Sequence, residues 1–217
     1  FARVFPTLKE TERRFLYDNL PAERLADILS YLDTGKTIAC LKEIGIDKSI
    51  PILEKMASDD ITDILNEIED EDFRAIRGRF SRESQAELAY LRKYKEDQVG
   101  AVMTTNYIAV ESDLDVKDAM KILIRESEDS ETIDPVYVTE NGKLIGFIKL
   151  VDLIIARSPI KIAELADGMI VSAEVEDKAA DAAAKMNNYG LSVLPVVEDG
   201  KLVGIVTIDD ALDVVEK

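Results

Sequence analysis

The chain has 217 residues, 47% of them hydrophobic, with 44 acidic against 27 basic side chains and no histidine. That content suits a globular protein long enough to bury a core without staples, and a net charge of −17 repels nucleic acid and an anionic membrane face but not cations. A single cysteine excludes an internal disulfide, and the longest apolar runs, such as VLPVV at 193–197, are too short to span a bilayer.

The opening FARVFPTLKE has neither a basic nor an apolar leader region, so no signal peptide is expected. The first 97 residues read as helical. Thr7 and Glu10 have capping-box spacing after Pro6, and Pro21 suits the first position of a helix. Leu25, Ile28, Leu29 and Leu32 then recur at helical spacing and form one apolar face. Cys40, within TIACL, reads as a small core residue in a reducing compartment. Ser58 is placed to cap a second helix, whose face is Ile61, Ile64, Leu65 and Ile68. LADILSYLD at 25–33 aligns with ITDILNEIE at 61–69 at an offset of 36, which suggests an array of short helices covering one another's apolar faces. A further helix is expected over roughly 81–95.

After residue 98 the pattern changes to short β-branched runs with helical stretches between them: NYIAV, DPVYV and KLIGFI, then GMIVSA, SVLPVV and KLVGIV. ENGK at 140–143 and EDGK at 198–201 are hairpin signals. GKLIGFIKLVDLI at 142–154 returns as GKLVGIVTIDDAL at 200–212, an offset of 58. Each copy reads helix or turn, strand, helix, strand, hairpin, strand, helix. One copy alone would expose a face of its sheet, so the duplication predicts two copies packed together. The region after residue 97 holds 23 acidic and 11 basic residues and carries most of the negative charge. By itself that excess serves solubility as well as it serves cation binding.

The duplicated β-α-β-β-α unit resembles a pair of CBS domains, and GIVTIDD at 204–210 matches their pattern of glycine, two apolar residues, Thr or Ser, and a later Asp. The linker KEDQVGAVMTTNYIAV at 95–110, SETIDPVYV at 130–138 and YGLSVLPVVEDGKLVGIVTIDDALDVVEK at 189–217 resemble the corresponding segments of MgtE-type magnesium channels. The helical first part is similar to the superhelical N domain of that family. The resemblance implies an α+β protein in two parts, a helical regulatory domain over 1–97 followed by CBS domains over 98–157 and 158–217. It also implies a cytosolic region on the cytoplasmic side of the membrane, a homodimer formed through the CBS domains, and a transmembrane pore domain as the partner missing from this stretch.

Magnesium takes oxygen ligands and is usually held by one or two carboxylates with retained waters, so a magnesium sensor needs neither histidine nor cysteine. Asp59 and Asp63 lie one turn apart, as do Asp210 and Asp213, so each pair shares a helical face. Asp27 stands where Asp63 stands in the 36-residue repeat. In the family, residues at the positions of Asp27, Asp59, Asp63, Asp210 and Asp213 meet around magnesium between the N domain and the CBS pair. Asp177, in EVEDKAAD, aligns with a further acidic stretch of the family. Gly190 departs from the pattern, which often has an acidic residue after the tyrosine of the second copy.

Two other readings stay open. CBS pairs often bind ATP or another adenine nucleotide, with a hydroxyl near phosphate and an aspartate on the ribose. Thr207 and Asp210 fit those roles in the second copy, whereas the first has Lys149 in place of the threonine and keeps Asp152. A dimerisation scaffold indifferent to ions is the other. Catalysis is not expected, because the sequence offers no histidine base, nucleophile elbow, phosphate loop or Cys/His metal set.

Overall fold

Short helices with one apolar stripe cannot stand alone in water, and in the first part of the chain they bury those stripes on one another. A computed structural model describes residues 4–68 and 75–216, apart from the side chains of residues 75, 77 and 213–216. The chain divides into two compact units, Phe1–Lys93 and Tyr94–Lys217.

In the first unit, helices α1 (Glu10–Asn19), α2 (Ala22–Ser30), α3 (Thr34–Ile44), α4 (Ile46–Leu53) and α5 (Ser58–Glu67) follow one another through short turns, and α6 (Arg82–Leu91) comes after a 3-10 turn at Ala75–Arg79. The faces expected of α2 and α5 are the ones buried. Leu25 and Leu29, then Ile61, Ile64, Leu65 and Ile68, sit in the core with Leu41 and Leu53, while Ile28 and Leu32 pack at its edge. Each such leucine or isoleucine contributes about 1.5–3 kcal/mol of burial. Cys40 is buried among them. Three buried hydroxyls of this unit are bonded rather than stranded: Thr37 Oγ1 donates to the Leu29 carbonyl at 2.9 Å, Ser49 Oγ to that of Gly45 at 2.9 Å, and Thr62 Oγ1 to that of Ser58 at 2.8 Å.

Three local expectations shift by a residue or more. Thr7 closes a short 3-10 turn by donating to the Val4 carbonyl, and the cap of α1 forms later, with the Glu12 carboxylate accepting from the Lys9 amide at 2.8 Å. Ser58 is the first residue of α5, behind an extended Ala57, rather than its cap. Helix α6 is capped by Ser81 and ends at Leu91, four residues short of the expected stretch. Hydroxyl and carboxylate residues are common near helix starts, so neighbouring candidates compete for one capping position. Glu69, the last residue of the aligned repeat, lies outside the described residues.

The second unit holds two copies of one motif. The first runs α7 (Val99–Val102), β1 (Ala109–Glu111), α8 (Val116–Glu126), β2 (Val136–Glu140), β3 (Lys143–Ile148) and α9 (Leu150–Ile155). The second runs α10 (Ile162–Leu165), β4 (Ala173–Glu174), α11 (Ala179–Tyr189), β5 (Val193–Glu198), β6 (Lys201–Thr207) and α12 (Ile208–Glu216). In each, a parallel strand flanks an antiparallel hairpin, and the register slips at the equivalent place, Val138/Thr139 and Val196/Val197. Asn141-Gly142 and Asp199-Gly200 turn the hairpins with all four φ between 52° and 78°, as the turn signals predicted. The first strand of each copy is shorter than its apolar run. Of GMIVSA only Ala173 pairs in a strand, and Ile170 instead packs between the copies beside Tyr137, Leu202 and Ile205.

The copies meet through that apolar cluster and a single strand-edge pairing, Lys143 with Lys201. They are also stitched crosswise. Thr104 and Ile205 exchange both backbone hydrogen bonds at 2.9 Å, and Phe147 and Asp167 exchange theirs at 2.9 and 3.1 Å. Glycine permits both approaches. A Cβ on Gly146 would lie 2.5 Å from the Asp167 carbonyl oxygen, and one on Gly204 would lie 2.7 Å from Met103 Sδ.

Candidate functional site

The acidic residues expected to hold a cation fall in both units. In the helical unit, Asp27 is exposed on α2 and pairs with Arg24 at 3.3 Å, one turn before it. Asp59 and Asp63 stand one turn apart on α5. Asp59 is half-buried with its Oδ1 shielded from solvent, whereas Asp63 is exposed. Asp59 and Asp60 occupy the first turn of α5, where the helix dipole offsets their negative charge.

In the second unit, β6 delivers Thr207 to the start of α12, and Asp209 and Asp210 form the first turn of that helix. Thr207 Oγ1 donates to Asp210 Oδ2 at 2.5 Å and accepts from the Asp210 amide at 3.4 Å, so the hydroxyl both caps the helix and aims the carboxylate. Asp213 lies one turn further along α12, and its side chain is outside the described residues. Asp177 sits in the turn after β4. Its Oδ2 accepts from the Glu174 amide at 3.1 Å and lies 3.8 Å from Lys185 Nζ. The carboxylate thus has a turn-closing role of its own.

One acidic neighbour is absent from the expected set. Glu131, in SETIDPVYV, lies close enough to Asp210 for the two charges to interact. Glu131 is exposed as a residue, yet partial desolvation of its carboxyl, with the Asp210 charge added, raises it above the ordinary range. Its backbone amide is fixed by the Asn106 carbonyl at 2.7 Å. The motif was visible in the sequence; its approach to the second copy was not.

The first copy lacks this arrangement. Lys149, exposed, replaces the threonine before α9, and the start of that helix is held by Asp134, whose Oδ1 accepts from the Leu150 amide at 2.8 Å. Asp152 is exposed. Gly190, the departure noted in the sequence, ends α11 in a left-handed turn at φ 64°, a conformation that an acidic residue adopts less readily.

Carboxylate and hydroxyl oxygens make up these sets, the donor chemistry of a hard dication such as magnesium. Among the described residues, no group of three or more acidic, cysteine or histidine side chains is assembled closely enough to hold a metal ion. No helix among them is long and apolar enough to cross a membrane.

Comparison with known proteins follows the same division. The MgtE intracellular N domain matches residues 1–97, and the CBS domain matches 99–158 and 162–217. The magnesium transporter MgtE of Thermus thermophilus is 36% identical over 98% of this chain, and that of Bacillus subtilis is 28% identical over 99%. The chain spans about half the length of each, 48%. Among solved structures, the cytosolic domain of the Mg2+ channel MgtE in complex with ATP superposes with a TM-score of 0.87 at 33% identity, covering 98% of this chain and 88% of that one. The soluble part of a magnesium transporter superposes with a TM-score of 0.91 at 29% identity, covering 99% and 86%. The chain belongs to the MgtE family, as its intracellular N domain followed by a pair of CBS domains.

Proposed function

We propose that this chain is the cytosolic magnesium-sensing region of an MgtE-type channel or transporter, lying on the cytoplasmic side of the membrane and regulating a transmembrane pore domain. The helical domain over 1–97 and the CBS domains over 98–157 and 158–217 act as its moving parts. The observation that carries this reading is the pair of acidic helices, with Asp59 and Asp63 one turn apart on α5 and Asp210 and Asp213 one turn apart on α12, in a chain whose relatives are named magnesium transporters.

Two carboxylates about 6 Å apart repel by about 3 kcal/mol at an effective dielectric near 20, and less once salt screens them. Several such pairs keep the two units apart while magnesium is scarce. When it is abundant, the ion is shared among Asp27, Asp59 and Asp63 on one side and Asp210 and Asp213 on the other, with Asp177 as a further ligand, and the units draw together. Compaction of this region then closes the pore, a population shift driven by an ion that binds one state better. The exposed apolar face of α9, formed by Val151, Ile154 and Ile155, supports a homodimer made through the CBS domains. The role is regulatory, not catalytic.

Small-angle scattering during a magnesium titration tests the reading. Millimolar magnesium should shrink the particle, and Asp59→Asn combined with Asp210→Asn should blunt the change. An unchanged size in the unsubstituted protein at all concentrations would refute the sensor.

A second reading has its own support. The Thr207–Asp210 pair sets a hydroxyl and a carboxylate together at the start of α12, and one of the similar structures contains ATP. On this reading an adenine nucleotide modulates the region. Calorimetry with ATP and AMP, with and without magnesium, separates the two: heat with nucleotide that Thr207→Val abolishes supports the second, and its absence removes it.

A further inference from the structure

The chain enters the CBS pair through residues 94–102, and this segment is fastened to the second repeat although the first repeat follows it in sequence. The Val99 amide donates to the Asp177 carbonyl at 2.8 Å and the Gly100 amide to that of Val175 at 2.9 Å, while the Ala179 amide donates back to the Asp97 carbonyl at 2.9 Å. Gln98 bridges Lys178 through the backbone, and its side chain accepts from the Lys95 amide at 2.8 Å, holding the turn that leads in. Val99 and Met103 are fully buried.

The second repeat's entry segment makes the mirror connection. Ile162 and Ala163 donate to the carbonyls of Leu114 and Ser112 at 2.9 and 3.0 Å, so the repeats exchange their leading segments. One feature distinguishes the first strap. Tyr94 lays its ring on Gly100, so closely that a Cβ there would lie 2.4 Å from the ring, and donates from its hydroxyl to Glu198 at 3.3 Å. The equivalent position in the second strap is Ala163, which is exposed. The strap is therefore held by Tyr94 and by the 175–179 turn, and Arg92 and Lys93, whose amides bond back to the carbonyls of Leu88 and Tyr90 at 3.2 Å, join it to the end of α6 at Leu91.

We propose that the 94–102 strap is a mechanical tie that makes the 175–179 turn of the second repeat, the turn carrying Asp177, the receiver of displacement in the helical unit. Three backbone hydrogen bonds of 2.8–2.9 Å, running in both directions, couple the strap to that turn, so a pull at Lys93 is carried to Asp177 and the start of α11. The first repeat passes the chain on without bearing the load. Tyr94 is a positioning residue, acting through the strap. The source of the displacement rests on the magnesium-sensing reading; the tie itself does not.

The test is amide hydrogen exchange on the full chain, with and without millimolar magnesium, comparing the unsubstituted protein with Tyr94→Ala and Tyr94→Phe. Without magnesium, Tyr94→Ala should speed exchange at Val99, Gly100 and Ala179 by about tenfold or more while leaving β2 and β3 unchanged, the mark of local opening. Tyr94→Phe, which keeps the ring on Gly100, should leave those amides slow. With magnesium, exchange over 175–182 should change in the unsubstituted protein and in Tyr94→Phe but not in Tyr94→Ala, although scattering still reports compaction of Tyr94→Ala. A full response over 175–182 in Tyr94→Ala, or a response confined to residues 112–116, would overturn the tie. If magnesium alters neither size nor exchange in the unsubstituted protein, the sensing reading fails, and the tie is then judged by the magnesium-free arm: unaltered exchange at the three amides refutes it. Should Tyr94→Ala fail to fold, Gln98→Ala takes its place with the same expected pattern.

Discussion

Thr207 and Asp210 form a closed pair: Oγ1 of the threonine donates to Oδ2 of the aspartate and accepts from the aspartate's amide at the first turn of α12. In the first repeat the equivalent positions, Lys149 and Asp152, make no such pair, and Asp134 holds the helix start from another segment. Thr207→Val keeps the shape of the side chain and removes the hydroxyl. It should lower stability by about 1 kcal/mol, the size of one lost helix cap. Urea unfolding measures this; Lys149→Val, which removes no such bond, should leave the midpoint within error.

Glu131 faces Asp210 with its carboxyl held above the ordinary range by desolvation and by that neighbouring charge. A carboxyl whose folded pKa is raised binds more protons in the folded state, so stability falls as pH rises from the unfolded value of about 4.3 through the folded one. Glu131→Gln should therefore stabilise the protein at pH 7, and the gain should vanish below pH 4. Denaturant midpoints at the two pH values check the sign.

Glu43 has the opposite sense. Its carboxylate takes two hydrogen bonds from Arg13, at 2.5 and 2.9 Å, and one from the Tyr17 hydroxyl at 3.1 Å. Arg13 is the main cause that holds Glu43 below the ordinary range, whereas burial pushes the Tyr17 hydroxyl up. Stability from this pair is complete above the unfolded pKa and is lost as pH falls through the depressed folded value. Glu43→Gln should lower stability by about 2 kcal/mol at pH 7, because a partly buried arginine loses its ionic partner, and by much less in strong acid. Thermal melts at neutral and acid pH give the comparison.

The crosswise stitching depends on Gly146 and Gly204. Adding one methyl at either drives it into a backbone oxygen or into Met103, so Gly146→Ala and Gly204→Ala should each cost about 1–3 kcal/mol. Gly78, with nothing within 4 Å of the same added atom, is the control and should change little.

Much of this fold could be read from the chain. Alternation in KLIGFI and KLVGIV, with Asn-Gly and Asp-Gly beside them, marks the hairpins because side-chain direction and turn conformation are local properties. The faces of α2 and α5 follow from helical spacing for the same reason. The exchange of entry segments was hidden, since backbone hydrogen bonds between distant segments leave no periodic trace in side chains. So was the approach of Glu131 to Asp210, which requires the two repeats to be packed before it exists. For the candidate site, the spacing placed Asp59 with Asp63 on one helix, but not the shielding of Asp59 or the turn-closing bond of Asp177.

Crystals grown with ample magnesium, and compared with crystals grown without it, test the central claim most directly. An ion should be found with oxygen ligands drawn from α5 and α12, including Asp59 or Asp63 together with Asp210 or Asp213, and absent from the magnesium-free form. Helical-unit aspartates turned to bulk solvent in both forms, with no ion beside Asp210, would contradict it.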